Sequence, residues 1–352
     1  MSTLQTALRR ETGTLLQVED LATHFVTAGG VVRAVDGVSF SLQHGQRLGI
    51  VGESGCGKTV LSRSVMGLLP RRNVIRSGSV LFEGSELTSM SLKERQAIWG
   101  AEMAMIFQDP MTSLNPVMKI GKQLSEPLRI HLGSTKENAR QIVLKLLHDV
   151  GIPEPEKRFD QYAHELSGGM RQRVMIAMAL ACGPSVLFAD EPTTALDVTV
   201  QAQILDLIEA QCRERQMALV LVTHDLGVVA GHTDKIIVMY AGKIVETAPT
   251  GALYTNMKMP YTEALFQSIP KMEEPSHTRL TTIGGRPPNL IAPPDGCRFS
   301  PRCPYATDLC VKEEPQLQSA GPDHAFACHH PVGSDRWSEV QVAIERRRTG
   351  GA

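Results

Sequence analysis

Arg47-Leu48-Gly49-Ile50-Val51-Gly52-Glu53-Ser54-Gly55-Cys56-Gly57-Lys58-Thr59 is the stretch that decides the fold. Its first five residues read as a short strand of the buried type. A glycine-rich turn of the form GxxxxGK[ST] follows, and an apolar-periodic helix is predicted from 59 to about 69. The glycines let backbone N–H groups turn inward, and the helix N-terminus adds its dipole, so the turn is built to cradle phosphate. Gly52, Glu53, Ser54, Gly55, Cys56, Gly57, Lys58 and Thr59 are therefore candidate nucleotide contacts. Lys58 is expected to reach the β/γ-phosphates and the Thr59 hydroxyl to ligate Mg²⁺. Cys56 lies at the helix N-terminus, where the dipole favours thiolate, so alkylation there is expected to inhibit.

Further strands are predicted at 79–82, 103–107, 186–189, 218–222 and 235–240, and residues 15–50 read as short strands joined by turns. Helical patterns separate the later strands, as in a parallel sheet of crossover units, which makes the chain α/β. Residues 112–182 are mostly helical in pattern; within 135–152, Ile142, Val143, Leu146, Leu147 and Val150 form one face. Ser185-Val186-Leu187-Phe188-Ala189-Asp190-Glu191 is an apolar strand ending in two carboxylates. Asp190 can hold Mg²⁺, and Glu191, one residue on, can polarise an attacking water.

Of 352 residues, 42% are hydrophobic and 21% charged, enough apolar surface to offset chain entropy. A net charge of −1 gives no basic excess for nucleic acid, so no nucleic-acid partner is expected. The longest apolar run, 174–182, is far short of the ~18 residues of a membrane span. The first residues lack a signal-peptide core, so the chain is expected to be cytoplasmic and to meet a membrane only through a partner.

Leu166-Ser167-Gly168-Gly169-Met170-Arg171-Gln172-Arg173 resembles the signature motif of ABC-type ATPases. Other marks of that family follow in order. Gln108 resembles the Q-loop glutamine, which binds Mg²⁺ and contacts the transporter. Asp197 in Ala195-Leu196-Asp197 resembles the D-loop aspartate, and His224 the switch histidine that contacts the γ-phosphate. Phe25 is the candidate for the aromatic ring that stacks on adenine. Gln108-Asp109-Pro110-Met111-Thr112-Ser113-Leu114-Asn115-Pro116, Pro260-Tyr261-Thr262-Glu263-Ala264-Leu265 and Arg302-Cys303-Pro304-Tyr305-Ala306 look like the dipeptide/oligopeptide importer ATPases. ATPases of nickel and glutathione importers share much of this pattern; a soluble, non-transport ABC ATPase is the alternative of another class.

The resemblance implies an ABC ATPase core over 1–268, with a helical subdomain at about 109–182, and an extension over 269–352. It implies Glu191, His224 and Gln108 as catalytic residues, and Thr59, Gln108 and Asp190 around Mg²⁺. Ser167, Gly168 and Gly169 would complete the ATP site of a partner. The implied assembly is a second ABC ATPase subunit, as a heterodimer, two transmembrane permeases and an extracytoplasmic solute-binding protein. The chain would sit peripherally on the cytoplasmic face of the inner membrane.

Nine of the 21 prolines fall between 286 and 331, in a stretch with little periodicity that needs a staple of its own. Cys297, Cys303, Cys310 and Cys328 lie inside 32 residues. Four thiolates suit Zn²⁺ or an iron–sulfur cluster, and free or disulfide-bonded cysteines stay open. The importer ATPases that this tail resembles carry a [4Fe–4S] cluster there. The cysteines lie far in sequence from Lys58 and Glu191, so no part in hydrolysis chemistry is expected of them.

Overall fold

The structure is a computed structural model that describes residues 13–70, 72–109, 113–193, 198–268 and 283–349. Two sheets carry the fold. The smaller is antiparallel, in the order β2-β1-β4-β5, from β1 (Thr14–Thr27), β2 (Gly30–Gln43), β4 (Val74–Phe82) and β5 (Ser85–Glu86). The larger runs β11-β12-β10-β9-β3-β8-β7-β6. Its strands are β3 (Arg47–Val51), β6 (Met103–Ile106), β7 (Val186–Asp190), β8 (Ala218–Thr223), β9 (Lys235–Tyr240), β10 (Lys243–Pro249), β11 (Gln318–Gly321) and β12 (His324–Phe326). From β9 to β6 the pairing is parallel; β10, β11 and β12 join antiparallel.

Residues 14–43 are thus one long hairpin of two 14-residue strands rather than several short ones, and β3 follows as the short strand expected. Register shifts along the β1–β2 pairing interrupt its alternation, which is why the sequence pattern breaks up there.

The parallel strands are apolar on both faces, as a sheet covered on both sides requires. Leu48, Ile50, Phe188, Val220 and Met239 join a core with Leu16, Val35 and Leu42 of the smaller sheet. Leu61 and Val65 of the helix Lys58–Val65 belong to that core as well. Val51, Leu187, Ala189, Leu221 and Val238 belong to a second core with the helices. Full burial of each such side chain is worth ~1.5–3 kcal/mol, so both faces hold the strand ends in place.

Between β6 and β7 lie the helices Ile120–His131, Lys136–Asp149, Pro155–Phe159 and Gly168–Leu180. Thr135 caps the second, its hydroxyl accepting from the Asn138 N–H, and Ala139, Val143, Leu146 and Leu147 are its buried residues. The helix after the phosphate loop ends at Val65, short of 69, because Gly67 takes φ 69°. Among the described residues no helix is long and apolar enough to cross a membrane.

Candidate nucleotide site

The turn 52–59 leaves β3 at the carboxyl edge of the parallel strands, where open α/β sheets bind ligands. Two of its glycines are required by contact. A Cβ on Gly52 (φ 155°) would stand 2.2 Å from the Met239 carbonyl oxygen, and one on Gly57 (φ 108°) 2.1 Å from that of Ala34. Lys58 is buried, and its Nζ donates to the carbonyls of Gly52 (2.8 Å) and Glu53 (3.1 Å). The loop is thus folded around an ammonium group whose present partners, two carbonyl oxygens and, at 4.0 Å, the Cys56 sulfur, are neutral groups that phosphate can replace.

Asp190 ends β7 and is fully buried. Its Oδ1 accepts from the Thr59 hydroxyl at 2.9 Å. Its Oδ2 is buried without a hydrogen-bond partner among the described residues. Burial pushes this carboxyl above the usual carboxylate range, and the Glu191 charge adds to the rise; Thr59, Arg63 and Lys58 pull the other way. A buried carboxylate oxygen left unpaired beside a hydroxyl is what a hard cation needs, so Thr59 and Asp190 fit Mg²⁺.

Glu191 has φ 45°, a left-handed conformation costly for a residue with a side chain. Its N–H donates to the Val222 carbonyl at 2.8 Å, which fixes the turn. Its two carboxylate oxygens face different strand ends. Gln108 Nε2, two residues past β6, donates to Oε2 at 3.0 Å, and His224 Nδ1, just after β8, is 3.3 Å from Oε1. Glu191, Gln108 and His224 therefore form one polar cluster beside the Thr59–Asp190 pair. A water held there would meet a carboxylate base and an imidazole within one site.

Ser167 caps the helix Gly168–Leu180, its hydroxyl accepting from the Met170 N–H at 3.3 Å. Ser167 and Gly168 are exposed, and among the described residues nothing lies within 4 Å of a Cβ built on Gly168. This helix start is open to another molecule. Phe25, half-buried in β1, pairs with Val32 and Val74. Asp197 lies outside the described residues. Cys56 is buried, and burial pushes its thiol up, outweighing the pull of Lys58. The thiolate expected from the helix dipole is not favoured, because the side chain lacks solvent.

Sequence reading missed the other wall of the loop. Arg302 binds the Glu53 carboxylate with both terminal nitrogens, at 2.6 and 2.9 Å. The Tyr261 hydroxyl accepts from the Glu53 N–H at 2.8 Å. The signal was present: an acidic residue in an anion-binding loop calls for a cationic partner. Distance in sequence from Lys58 and Glu191 is thus no measure of the extension's distance in space, since Arg302 precedes Cys303.

Cys297, Cys303, Cys310 and Cys328 line one small pocket with His329 and His330. Burial pushes the Cys303 and Cys328 thiols up to about 12 and raises Cys297; in each case a charge on a neighbouring cysteine raises it further. Thiols so placed ionise when a cationic centre takes them, so the donor chemistry fits a metal group. Among the described residues, no group of three or more His, Cys, Asp or Glu side chains is arranged to hold a metal ion as the side chains stand.

A strand–phosphate loop–helix unit, a carboxylate pair at the end of β7 in the same parallel sheet and an exposed, Ser-capped helix start define an ABC-type ATP-binding cassette. Residues 35–194 match the model of the family described as ABC transporter, and residues 245–310 that of the oligopeptide/dipeptide transporter C-terminal region. The dipeptide transport ATP-binding protein DppD of Escherichia coli (strain K12) is 48% identical over 318 residues, 90% of this chain and 97% of that protein. The oligopeptide transport ATP-binding protein OppD of Bacillus subtilis (strain 168) is 50% identical over 311 residues, 88% of this chain and 87% of that protein. Among solved structures, the dimeric cassette MJ0796 bound to ADP and Pi superposes with a TM-score of 0.61 at 24% identity, over 67% of this chain and 98% of that one, a likeness of fold. The chain belongs to the ABC transporter family, among its ATP-binding subunits that carry the oligopeptide/dipeptide C-terminal region, and is an ABC-type ATPase.

Proposed function

We propose that this chain hydrolyses ATP to energise uptake of dipeptides or oligopeptides through an importer of the inner membrane, on whose cytoplasmic face it sits. The observation that carries this reading is the Gln108–Glu191–His224 cluster beside Thr59 and Asp190, in a chain that also bears the peptide-transporter C-terminal region. Gly52 to Thr59 cradle the phosphates, and Thr59, Asp190 and Gln108 hold Mg²⁺. Glu191 orients the attacking water and His224 stabilises the transferring phosphoryl group. Phe25 stacks on adenine. Ser167, Gly168 and Gly169, with Asp197, serve the ATP site of a second, related ATPase subunit, and their exposed helix start supports this. Two permeases and an extracytoplasmic solute-binding protein complete the system. The cassette spans 1–268, with its helical part at about 109–182, and the extension 269–352. In the extension the four cysteines hold a [4Fe–4S] cluster as a structural staple. The four thiols that line one pocket support a shared metal group there, with Zn²⁺ as the alternative to the cluster.

The test is ATPase activity of the assembled transporter in proteoliposomes. Stimulation by peptide-loaded binding protein is expected. Stimulation by nickel- or glutathione-loaded binding protein instead would move the cargo and keep the ATPase. ATP turnover that ignores the permeases would overturn the transport role.

A further inference from the structure

Glu53 places a negative charge in a loop whose business is to bind phosphate. In the folded chain that charge is engaged by Arg302 rather than by Lys58, although Lys58 Nζ reaches the backbone oxygen of the same residue. The Arg302 side chain is only 3% exposed. It also donates to the carbonyls of Gly284 (2.9 Å) and Ile283 (3.2 Å) and to the Tyr240 hydroxyl (3.3 Å). The Glu53 pair holds the guanidinium in its charged form above the usual arginine range. Tyr240, Tyr261 and Phe299 pack ring against ring beneath it, with centroids 4.5 to 5.4 Å apart. Residue 53 is therefore gripped at its side chain by Arg302 and at its N–H by Tyr261, both from beyond β10.

We propose that Arg302 is a positioning residue for nucleotide binding: its bidentate pair with Glu53 keeps that carboxylate off Lys58 and off the incoming phosphates. This rests on reading 52–59 as the ATP cradle. Without Arg302 the carboxylate is a free anion five residues from Lys58. It competes with phosphate for the ammonium group and repels the nucleotide. The effect belongs to the ground state, so it enters affinity and KM and leaves kcat nearly alone.

The test is equilibrium binding of a fluorescent ATP analogue with Mg²⁺ to the full chain, with kcat and KM of the assembled transporter beside it and a thermal melt to monitor folding. Arg302→Gln is expected to weaken binding about tenfold or more and to raise KM in step, with kcat within about twofold. Arg302→Lys, which keeps the charge and loses the fork, should fall between. Glu53→Gln added to Arg302→Gln should recover most of the affinity, because the offending charge is gone. A double variant as weak as Arg302→Gln would assign the loss to packing and overturn the proposal. Wild-type affinity in Arg302→Gln would overturn it as well, with the ATP cradle left standing. An unsubstituted chain that binds no MgATP would overturn the cradle and this role together.

Discussion

Asp190, Glu191, Gln108 and His224 reach the phosphate loop from the ends of parallel strands, and Asp190 keeps one buried oxygen without a partner among the described residues. Arg302 and Tyr261 reach it from beyond β10, backed by the rings of Tyr240 and Phe299, and Arg302 there is paired to Glu53, two carbonyls and a phenol. One wall keeps an unmet polar need that a ligand must fill; the other spends its polar groups on holding the loop. A group that waits for substrate raises the energy of the empty protein, and a saturated neighbour limits how far the loop can relax around that cost. On the proposed reading, the contrast separates residues that act on nucleotide from residues that set the shape of its cradle.

The largest effect should come from the first wall. Glu191→Gln is expected to lower kcat by ~10²-fold or more while MgATP binding persists, because the cradle and the Asp190–Thr59 pair are untouched. Single-turnover hydrolysis with the assembled transporter measures it. Near-normal turnover would mean that the base lies elsewhere and would erase the distinction between the walls.

The first wall was largely legible in the sequence, because its parts are local: a buried pentapeptide, a glycine turn and a helix in one case, an apolar strand and two carboxylates in the other. Periodicity also found the helix Lys136–Asp149 through Val143, Leu146 and Leu147. The convergence of Gln108, Glu191 and His224 came from the family likeness, and the sheet order explains it, since β6, β7 and β8 are neighbours. The second wall was not legible. Glu53 and Arg302 stand 249 positions apart. The strands that lead the extension back to the sheet, β11 and β12, have four and three residues, too short for any period to show. Composition led to the expectation of a staple in the extension, yet gave no sign that the extension leans on the loop.

The cysteine pocket tests whether the second wall transmits its own integrity. Cys303 follows Arg302, and the Cys297 N–H donates to the Cys310 carbonyl at 2.8 Å, so the pocket and the clamp share backbone. Anaerobically prepared chain is expected to be brown, with about four irons. Cys303→Ser should lose the metal group, lower the melting temperature and weaken MgATP binding severalfold through Arg302, with kcat much less changed. A colourless protein with one zinc would replace the cluster and keep the staple. Unaltered nucleotide affinity in Cys303→Ser would disconnect the pocket from the clamp.

Thiol chemistry probes the loop between the walls. Cys56 is buried and its thiol is pushed up, so iodoacetamide at pH 8 should modify it far more slowly than an exposed cysteine. Peptide mapping of the alkylated protein measures this directly. Rapid labelling of Cys56 that MgATP blocks would show a loop that opens in solution despite the Arg302 grip.

The smallest effect concerns the cost of the waiting carboxylate. Asp190 has a folded-state pKa raised above its ordinary 3.8, so the folded chain binds the proton more tightly than the unfolded one. Its contribution is therefore favourable at low pH and is lost as pH rises through the raised value, leaving a net penalty at neutral pH in the metal-free protein. Asp190→Asn removes the charge and keeps an amide oxygen to accept from Thr59. The metal-free variant should melt about 1–3 °C higher than the parent at pH 7.5, and the gain should shrink as pH falls toward 3.8. MgATP should reverse the order, because only the parent gains the stability of a bound ion. Calorimetric melts at two pH values, with and without MgATP, decide it. A variant less stable than the parent in the metal-free state at neutral pH would mean that the Thr59 pair already compensates the buried charge, and the first wall would then be as satisfied as the second.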